Sequence, residues 1–268
     1  PRSSRHRRVD MTESPHATTT WPPDVLTLAI DVGGSGLKGS VLDMNGQMIA
    51  DRVRFETPYP CPPTLLVKML TELKDQLPAA SRASVGFPGL VRSGRVLNIP
   101  SLSRLEYGGP RDESMAAAWH DYDLATALAD EFDIPVKVAN DADVQGCAVV
   151  EGKGFEFVMT LGTGCGTAVF HEGRLLPHME LSHAPTGHGG DFDDYVGNAA
   201  RKEVGKKEWR KRVVKAMQIF DEFLFYDKIY VGGGNAKHLS SVDLGPKAKI
   251  VPNTAGILGG IRIWDLEK

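Results

Sequence analysis

The alternation of apolar and polar residues predicts strands with helices between them along the first half of the chain. Short apolar runs separated by turn residues predict strands, and apolar residues at helical spacing predict helices. The predicted elements are three strands over 26–54 with turns at Gly33–Gly36 and Asn45-Gly46, a helix over Thr64–Gln76, a strand at 83–87, a helix over Ser114–Phe132 and a strand at 136–139.

The second half repeats the opening pattern. A strand over 156–161 runs into a glycine-rich turn, and a returning strand covers 168–170. A helical region over 193–226 with a break at Gly205, a strand at 228–231 and a helix opened by the small residues of 253–260 follow. Because a strand, a glycine turn and a strand occur in each half, we expect two related lobes that close on one ligand. The fold class is α/β, with sites at strand ends.

Composition is ordinary for a soluble globular protein. The chain has 268 residues, 41% of them hydrophobic and 24% charged, and a formal net charge of -3, which speaks against bulk affinity for nucleic acid. No apolar run reaches the roughly 18 residues of a membrane-spanning helix. Cys61, Cys147 and Cys165 are widely separated and form no CxxC pair, so we expect no disulfide framework and a cytoplasmic location, without nucleic-acid or membrane partners.

The opening 24 residues differ from the rest. They are rich in arginine at first and then in threonine and proline, without apolar periodicity. Residues 1–24 are therefore expected to be a disordered tail, with Met11 as a candidate natural start, although an arginine-rich tail can also bind nucleic acid. The remaining chain is expected to form an N-terminal α/β lobe over 25–139 and a C-terminal α/β lobe over 140–268.

Glycines dominate the first turn, whose residues are Gly33, Gly34, Ser35 and Gly36. A glycine-rich tip can turn its backbone N–H groups toward an anion such as phosphate, and it can equally be a plain hairpin turn. The spacing is neither that of a Walker A loop nor that of a Rossmann fingerprint. Asp31, at the strand end, could hold a hydrated Mg²⁺ ion, and Lys38 could add positive charge.

A second glycine turn has the residues Gly162, Thr163, Gly164 and Gly166. Phosphoryl transfer asks a protein mainly for positioning and charge neutralisation. Two such turns could hold a phosphate between them, with the Thr163 hydroxyl as a further donor. A plain hairpin is the alternative interpretation of the second turn taken alone.

Two polar pairs are candidates for a ligand site. Asn140 and Asp141 follow a predicted strand, where they suit either a binding site or the N-terminal cap of a helix; Asp143 is interpreted as a capping residue. Glu180 and His183 supply an acceptor and a donor for ligand hydroxyls, although an ExxH pair can also bind metal.

A basic block runs from Arg201 to Lys215. Lys207, Lys211 and Lys215 recur at every fourth residue and so form one stripe of a helix. The stripe is either a solvated helix face or a track for a polyanion, and the modest net charge of the chain favours the track. Binding of a flexible polyanion should weaken strongly with salt.

The motifs DVGGSGLKG, GFPGLV, NDAD, LGTGCGTA, ExxH and VGGGN, in this order, resemble the ROK sugar kinases from about Leu28 to Leu266. The segments HMELSHAP and DDYVGNAARKEVGKKEW are similar to the polyphosphate glucokinase branch. The resemblance implies a two-lobed actin-like ATPase (ribonuclease H-like) fold with the active site in the interdomain cleft. It also implies phosphoryl transfer from polyphosphate or ATP, with Mg²⁺, to the 6-hydroxyl of glucose and mannose, by a monomer or homodimer.

The same resemblance assigns residue roles. Asp141 is the implied general base, and the implied adenosine-side turn, which can also be a plain strand–helix turn, is Gly232, Gly233 and Gly234. The implied hexose-binding residues are Gly89, Ser101, Asn140, Asp141, Glu180, His183 and Asp193, with Asp194 as an alternative to the last. The chain departs from the family where Ser101 replaces an asparagine, and where the cysteine cluster of the family's zinc site is missing, so no zinc is expected.

Three alternatives remain at this stage. One is a ROK kinase that uses ATP alone. Another is a sugar-sensing ROK regulator, which would need a winged-helix domain; only about 25 polar residues precede Leu28. The third is an actin-like or chaperone-like ATPase, which would have no use for Glu180 and His183 beside Asn140 and Asp141.

Overall fold

Two sheets with the same strand arrangement organise the fold. A computed structural model describes residues 24–251 and 255–265, with side chains over 24–251 and 259–265; the tail expected over residues 1–24 lies almost wholly outside this range. The strands are β1 (Thr27–Gly33), β2 (Gly36–Leu42), β3 (Val53–Phe55), β4 (Arg82–Phe87), β5 (Leu90–Arg92), β6 (Arg95–Asn98), β7 (Tyr122–Asp123), β8 (Val136–Asn140), β9 (Phe155–Leu161), β10 (Cys165–His171), β11 (Arg174–Leu175), β12 (Lys228–Gly232) and β13 (Ala248–Ile250). The helices are α1 (Pro63–Lys74), α2 (Glu113–Trp119), α3 (Leu124–Phe132), α4 (Asp141–Val149), α5 (Phe192–Val196), α6 (Asn198–Leu224), α7 (Ser241–Leu244) and α8 (Ala255–Arg262).

The sheets share one topology. The first has the order β3-β2-β1-β4-β8 and the second the order β11-β10-β9-β12-β13. In each, an antiparallel hairpin is followed by parallel pairing of its first strand with a later strand. The prediction of two related halves is thereby confirmed, while the boundary between residues 139 and 140 stays a prediction.

Strand register brings the glycine turns and the polar strand ends to one edge of each sheet. Gly33 pairs with Gly36 across the first hairpin, and Leu161 pairs with Cys165 across the second. Phe87 pairs with Asn140 where β4 and β8 run parallel. Because parallel strands end at the same edge, the first turn lies near the start of α4.

Each sheet has its own apolar core. Leu66, Phe87 and Trp119 are fully buried beside the first sheet, and Trp209 and Phe220 of α6 are fully buried against the second. The helices α4 and α8 contact each other and lie against strands of both sheets, α4 against β10 and α8 against β1. No helix within the described ranges is long and apolar enough to cross a membrane.

The single helix predicted over Ser114–Phe132 is wrong, because the segment forms two helices. Asp121 has a positive φ of 57°, and the following residues extend into β7, which pairs with β6. The side chain of Asp123 then accepts a hydrogen bond from the Thr126 N–H and begins α3. A capping aspartate and strand pairing therefore overrode the apolar periodicity.

The helical region predicted over 193–226 is also interrupted earlier than expected. The break at Gly205 is confirmed by its φ of 76°, but α5 and α6 are separated at Gly197 as well. A Cβ on Gly197 would overlap the Thr163 carbonyl oxygen, and the N–H of Asn198 donates to the carbonyls of Gly162 and Thr163 at 3.1 and 3.0 Å. The second glycine turn therefore packs directly against the start of α6.

We expect Gly259→Ala to destabilise the protein by about 1–3 kcal/mol, because a Cβ at Gly259 would overlap the Val144 carbonyl of α4. Gly260→Ala in the same helix is the matched control, since its Cβ would first meet the Ala29 and Ser84 side chains at 3.1 and 3.5 Å. Chemical denaturation measures both. Equal stability of the two variants would contradict the assigned contact between α4 and α8.

Candidate active site

The turn from β8 into α4 forms the centre of the site. Asn140 caps the helix, because its Oδ1 accepts a hydrogen bond from the Ala142 N–H at 2.8 Å. Its Nδ2 donates to the Gly89 carbonyl at 3.0 Å. The capping interpretation is therefore correct for Asn140, whereas Asp143, expected to cap, lies inside the first turn. Asn140 is buried, and its direct contact with hexose stays a prediction.

Asp141 occupies the first position of α4 and is half-buried. Burial raises the pKa of its carboxyl group to about 7, helped by the negative charge of Asp31 and opposed by the hydrogen bond from the Ala142 N–H. A carboxylate with a pKa near neutrality can accept a proton in its charged form and release it afterwards. Asp141 therefore has the chemistry of a general base.

Asp31 faces the same space from the first hairpin. Asp31 and Lys38 are paired across β1 and β2, and the Lys38 Nζ lies 3.1 Å from the Asp31 Oδ2. The negative charge of Asp31 raises the pKa of Asp141, and carboxylate oxygens suit a hydrated Mg²⁺ ion, a cation that prefers oxygen ligands. Within the described ranges, no three His, Cys, Asp or Glu side chains form a group able to hold a metal ion by themselves. The residues therefore fit Mg²⁺ held through water.

The predicted hexose residues Glu180, His183 and Asp193 come together beside the second turn. The Asp193 Oδ1 accepts a hydrogen bond from the Cys165 N–H at 2.7 Å, and its Oδ2 lies 3.9 Å from the His183 Nε2. Burial raises the pKa of Asp193, and the charge of Glu180 adds to that rise. The backbone N–H of Asp194 instead donates to the Asp191 side chain, which caps α5, so the contacts to the second turn and to His183 come from Asp193.

A buried histidine that the sequence analysis did not identify connects this group to α4. The Nδ1 of His178 lies 3.0 Å from the Asp143 Oδ1, and its Nε2 lies 3.6 Å from the Glu180 Oε1. Burial alone would lower the pKa of His178, but the two carboxylates raise it to about 9. His178 is therefore an imidazolium at neutral pH, and although burial opposes ionisation of Glu180, this cation lowers the Glu180 pKa. Its sequence signal was weak, because His178 precedes the ExxH motif and belongs to no spacing typical of a site.

The first turn is supported by a tyrosine that the sequence analysis also missed. The Tyr59 hydroxyl donates to the Gly34 carbonyl at 2.7 Å and lies 3.2 Å from the Ser101 carbonyl. This places Ser101 against the tip of the first hairpin. The Ser101 Oγ is buried and has no hydrogen-bond partner among the described residues. An orphaned hydroxyl beside the turn suits a ligand hydroxyl, because buried polar groups are normally paired.

The adenosine-side turn predicted at Gly232–Gly234 contacts the second glycine turn. Gly233 has a φ of 84°, and a Cβ there would overlap the backbone of Leu161. The Asn235 Nδ2 donates to the Gly162 carbonyl at 3.0 Å. A Cβ on Gly234 would meet no atom within 4 Å, so this turn presents an open backbone face on which a flat ligand could lie.

The basic stripe forms no hydrogen bond or ion pair with these turns among the described residues. Lys207, Lys211 and Lys215 are exposed, and Lys211 pairs with Glu208 at 2.9 Å. Lys211 is two residues from the buried Trp209 in a helix that turns about 100° per residue, so it points to the opposite side from the core. A polyphosphate track on this stripe stays a prediction.

Comparison with known proteins gives consistent results. The family description "ROK family" matches residues 27–193 of the chain. The polyphosphate glucokinase of Mycobacterium tuberculosis is 29% identical over 265 residues, covering 93% of this chain and 94% of that protein.

Solved structures agree in fold. The inorganic polyphosphate/ATP-glucomannokinase of Arthrobacter sp. strain KM is 28% identical, with a TM-score of 0.74 over 91% of this chain and 100% of that chain. A ROK family glucokinase from Streptomyces griseus, in complex with glucose and AMPPNP, is 16% identical, with a TM-score of 0.68 over 89% of this chain and 98% of that chain. The fold is the two-lobed actin-like ATPase fold that the motifs implied.

We expect His178 to stabilise the protein in a pH-dependent way. Its folded-state pKa of about 9 lies above the ordinary 6.5, so its stabilisation is complete below pH 6.5 and is lost as pH rises through about 9. The melting temperature should therefore fall between these values, and His178→Asn should be less stable at pH 6.5 and lose this dependence. His171→Asn changes an exposed histidine and is the control; the same pH dependence in all three proteins would contradict the ion pair.

Proposed function

The chain belongs to the ROK family, and we propose from this that it is a sugar kinase that transfers a phosphoryl group from inorganic polyphosphate or ATP to the 6-hydroxyl of glucose and mannose. One observation carries the proposal: Asp141, whose pKa is raised to about 7, lies at the helix start beside the first hairpin. The full-length similarity to a polyphosphate glucokinase supports it. Location in the cytoplasm, and a monomer or homodimer, belong to the same proposal.

In the proposed reaction Asp141 removes the proton of the 6-hydroxyl. The sugar oxygen forms a bond to the terminal phosphorus of the donor, the bond from that phosphorus to its bridging oxygen breaks, and the shortened donor leaves as an anion. The hydroxyl proton remains on Asp141 until it passes to solvent. A raised pKa suits this role, because the base must hold the proton after transfer and lose it before the next turnover.

The two glycine turns supply the electrostatic part of the mechanism. Backbone N–H groups at the tips of the two glycine turns would contact the transferring phosphoryl group, with Thr163 as a hydroxyl donor. The Gly162 and Cys165 N–H groups are not among them, because they donate to the Gly164 carbonyl and to the Asp193 side chain. Lys38 adds positive charge while it is paired with Asp31. Mg²⁺ bound through water at Asp31 would neutralise donor oxygens. Gly232–Gly234 would lie against the adenosine of ATP.

The hexose would be held by groups whose charges are set by their neighbours. Glu180 is an acceptor kept ionised by His178, and His183 and Asp193 contribute a donor and a further acceptor. Ser101 offers its unpaired hydroxyl and Gly89 its backbone, whose carbonyl is held by Asn140. A Glu, His and Asp set matches a ligand with several adjacent hydroxyls, because each hydroxyl can both donate and accept.

Asp141→Asn is expected to lower kcat by at least about 100-fold while leaving hexose binding largely intact, because the amide keeps the shape but cannot take the proton. A coupled assay for hexose 6-phosphate with either donor measures turnover, and calorimetry measures hexose binding. Near-normal turnover of this variant would return Asp141 to a structural role at the start of α4.

The pH dependence of kcat/KM for the same reaction is a second test of the general base. Only ionised Asp141 is active, so kcat/KM of the parent should fall as pH decreases through about 7. Asp31→Asn removes a charge that raises the pKa of Asp141 and should move the acidic limb to lower pH, even though the variant is slower. If the acidic limb of kcat/KM lies at the same pH in Asp31→Asn and in the parent, a group other than Asp141 controls it.

Glu180→Ala should raise the KM for hexose by about 10- to 100-fold and change the donor KM little, because a hydrogen bond to a charged group contributes roughly 1.5–3 kcal/mol. Initial rates with glucose and with mannose, each measured with polyphosphate and with ATP, give the hexose KM and the donor KM. Metal analysis of the purified protein is the second readout. Stoichiometric zinc that disappears in His183→Ala would contradict the sugar assignment.

A further inference from the structure

A group of positive side chains surrounds the short 3₁₀ turn Ala236–His238, which follows the open glycine turn. Its members, here called the cation cluster, are Arg201, Lys206, Arg210, Lys237 and His238. The Arg210 Nε donates to the His238 carbonyl at 2.6 Å, which joins α6 to the turn. After partial burial, the charges of Lys206, Arg201, Lys237 and Arg210 lower the pKa of His238. The four charged side chains are therefore close enough to His238 to disfavour its protonated form.

The cation cluster is attached to the second glycine turn from both sides. On one side, an Arg201 guanidinium nitrogen donates to the Asn198 Oδ1 at 2.8 Å, and the Asn198 N–H donates to the Gly162 and Thr163 carbonyls. On the other side, Asn235 donates its Nδ2 to the Gly162 carbonyl at 3.0 Å, two residues before Lys237. The same turn is where the donor phosphates are proposed to bind.

Positive charge in the cation cluster is not neutralised by the protein. Among the described residues, none of the five side chains has an ion pair with a carboxylate, whereas Lys211 of the basic stripe is paired with Glu208. The Arg201 Nε is buried and has no hydrogen-bond partner among the residues that the structure describes. A buried, unpaired guanidinium nitrogen beside other cations is unfavourable unless an anion accepts from it.

Resting on the proposed kinase function, we infer that the cation cluster binds the part of an inorganic polyphosphate chain that extends beyond the phosphoryl group at the glycine turns. Each further phosphate unit carries roughly one negative charge, so a long donor gains contacts that ATP, with adenosine in their place, does not make. This assigns the polyanion to the flank of α6 that faces His238. It does not assign it to Lys207, Lys211 and Lys215, none of which forms a hydrogen bond or ion pair with either turn among the described residues.

Two variants that each remove three positive charges from α6 and its neighbourhood test the assignment. The cluster variant combines Lys206→Gln, Arg210→Gln and Lys237→Gln, and the stripe variant combines Lys207→Gln, Lys211→Gln and Lys215→Gln. Equilibrium binding of fluorescently labelled long-chain polyphosphate is measured for both and for the parent. Initial rates with polyphosphate and with ATP follow, each over a range of salt concentrations.

The cluster variant should bind polyphosphate at least about tenfold more weakly, with a matching rise in the polyphosphate KM and a shallower salt dependence. Its ATP KM should stay within about twofold of the parent value, and the stripe variant should resemble the parent with both donors. Equal losses in the two variants, equal losses with the two donors, or no loss in the cluster variant would each overturn the inference. If the cluster variant does not fold by circular dichroism, Lys206→Gln and Lys237→Gln, both at exposed positions, are measured singly, with Lys207→Gln as the control.

Direct binding separates this inference from the proposed function. A parent protein that uses polyphosphate, with a cluster variant that binds it normally, would overturn the inference and leave the kinase proposal standing. Cluster-dependent polyphosphate binding without turnover on any hexose would support the binding site and contradict the proposed reaction.

Discussion

The hydrogen bonds of Asn140 are the constraint on which the site depends. The side-chain oxygen of this residue caps the start of α4, and its side-chain nitrogen donates to the Gly89 carbonyl. Strand β8, the loop after β4 and the helix therefore meet at one point. Asp141 is the next residue and has no freedom to lie elsewhere. Its position beside Asp31 follows from the parallel pairing of β1, β4 and β8. The raised pKa is thus a consequence of how the sheet ends, because burial and a second carboxylate act on a residue that the cap holds in place.

A second electrostatic link connects α4 to the segment that is proposed to bind hexose. His178 lies between Asp143 of the helix and Glu180 of the segment that follows β11, with both partners within ion-pair distance. A buried cation between two carboxylates is tolerated because each charge compensates another. The arrangement joins the orientation of Glu180 to the helix that carries Asp141. The groups proposed for hexose binding and for proton transfer therefore share one rigid support.

The second glycine turn has a different kind of support, because two segments converge on its carbonyl groups. Asn198 at the start of α6 and Asn235 after β12 both donate to the Gly162 carbonyl. The same two attachments bring positive side chains from α6 and from the Ala236–His238 turn into one place. The phosphate site proposed at the turn and the polyanion site inferred beside it would thus be supported by the same contacts.

Sequence alone determined the architecture and the identity of most candidate residues. The repeated strand–glycine turn–strand pattern predicted two related halves, and the resemblance of the motifs to the ROK family suggested roles for Asp141, Glu180 and His183. The pattern and the motifs are local features of the chain, so they can be recognised without knowing what packs nearby. The break at Gly197 between α5 and α6 could not be predicted, because it depends on the close approach of Thr163, which is distant in the sequence.

Only the tertiary structure decided which residues act together. Asp143 and His178 are separated by 35 positions yet share a hydrogen bond, and no helical or strand period links them. The basic block shows the same limit: a period of four groups Lys207 with Lys211 and Lys215, whereas folding groups Arg201, Lys206 and Arg210 with Lys237 and His238. Periodicity reports which face of one helix a residue occupies. The burial of that residue and the charges around it depend on what packs against the face. Those neighbours come from chain segments far away in the sequence.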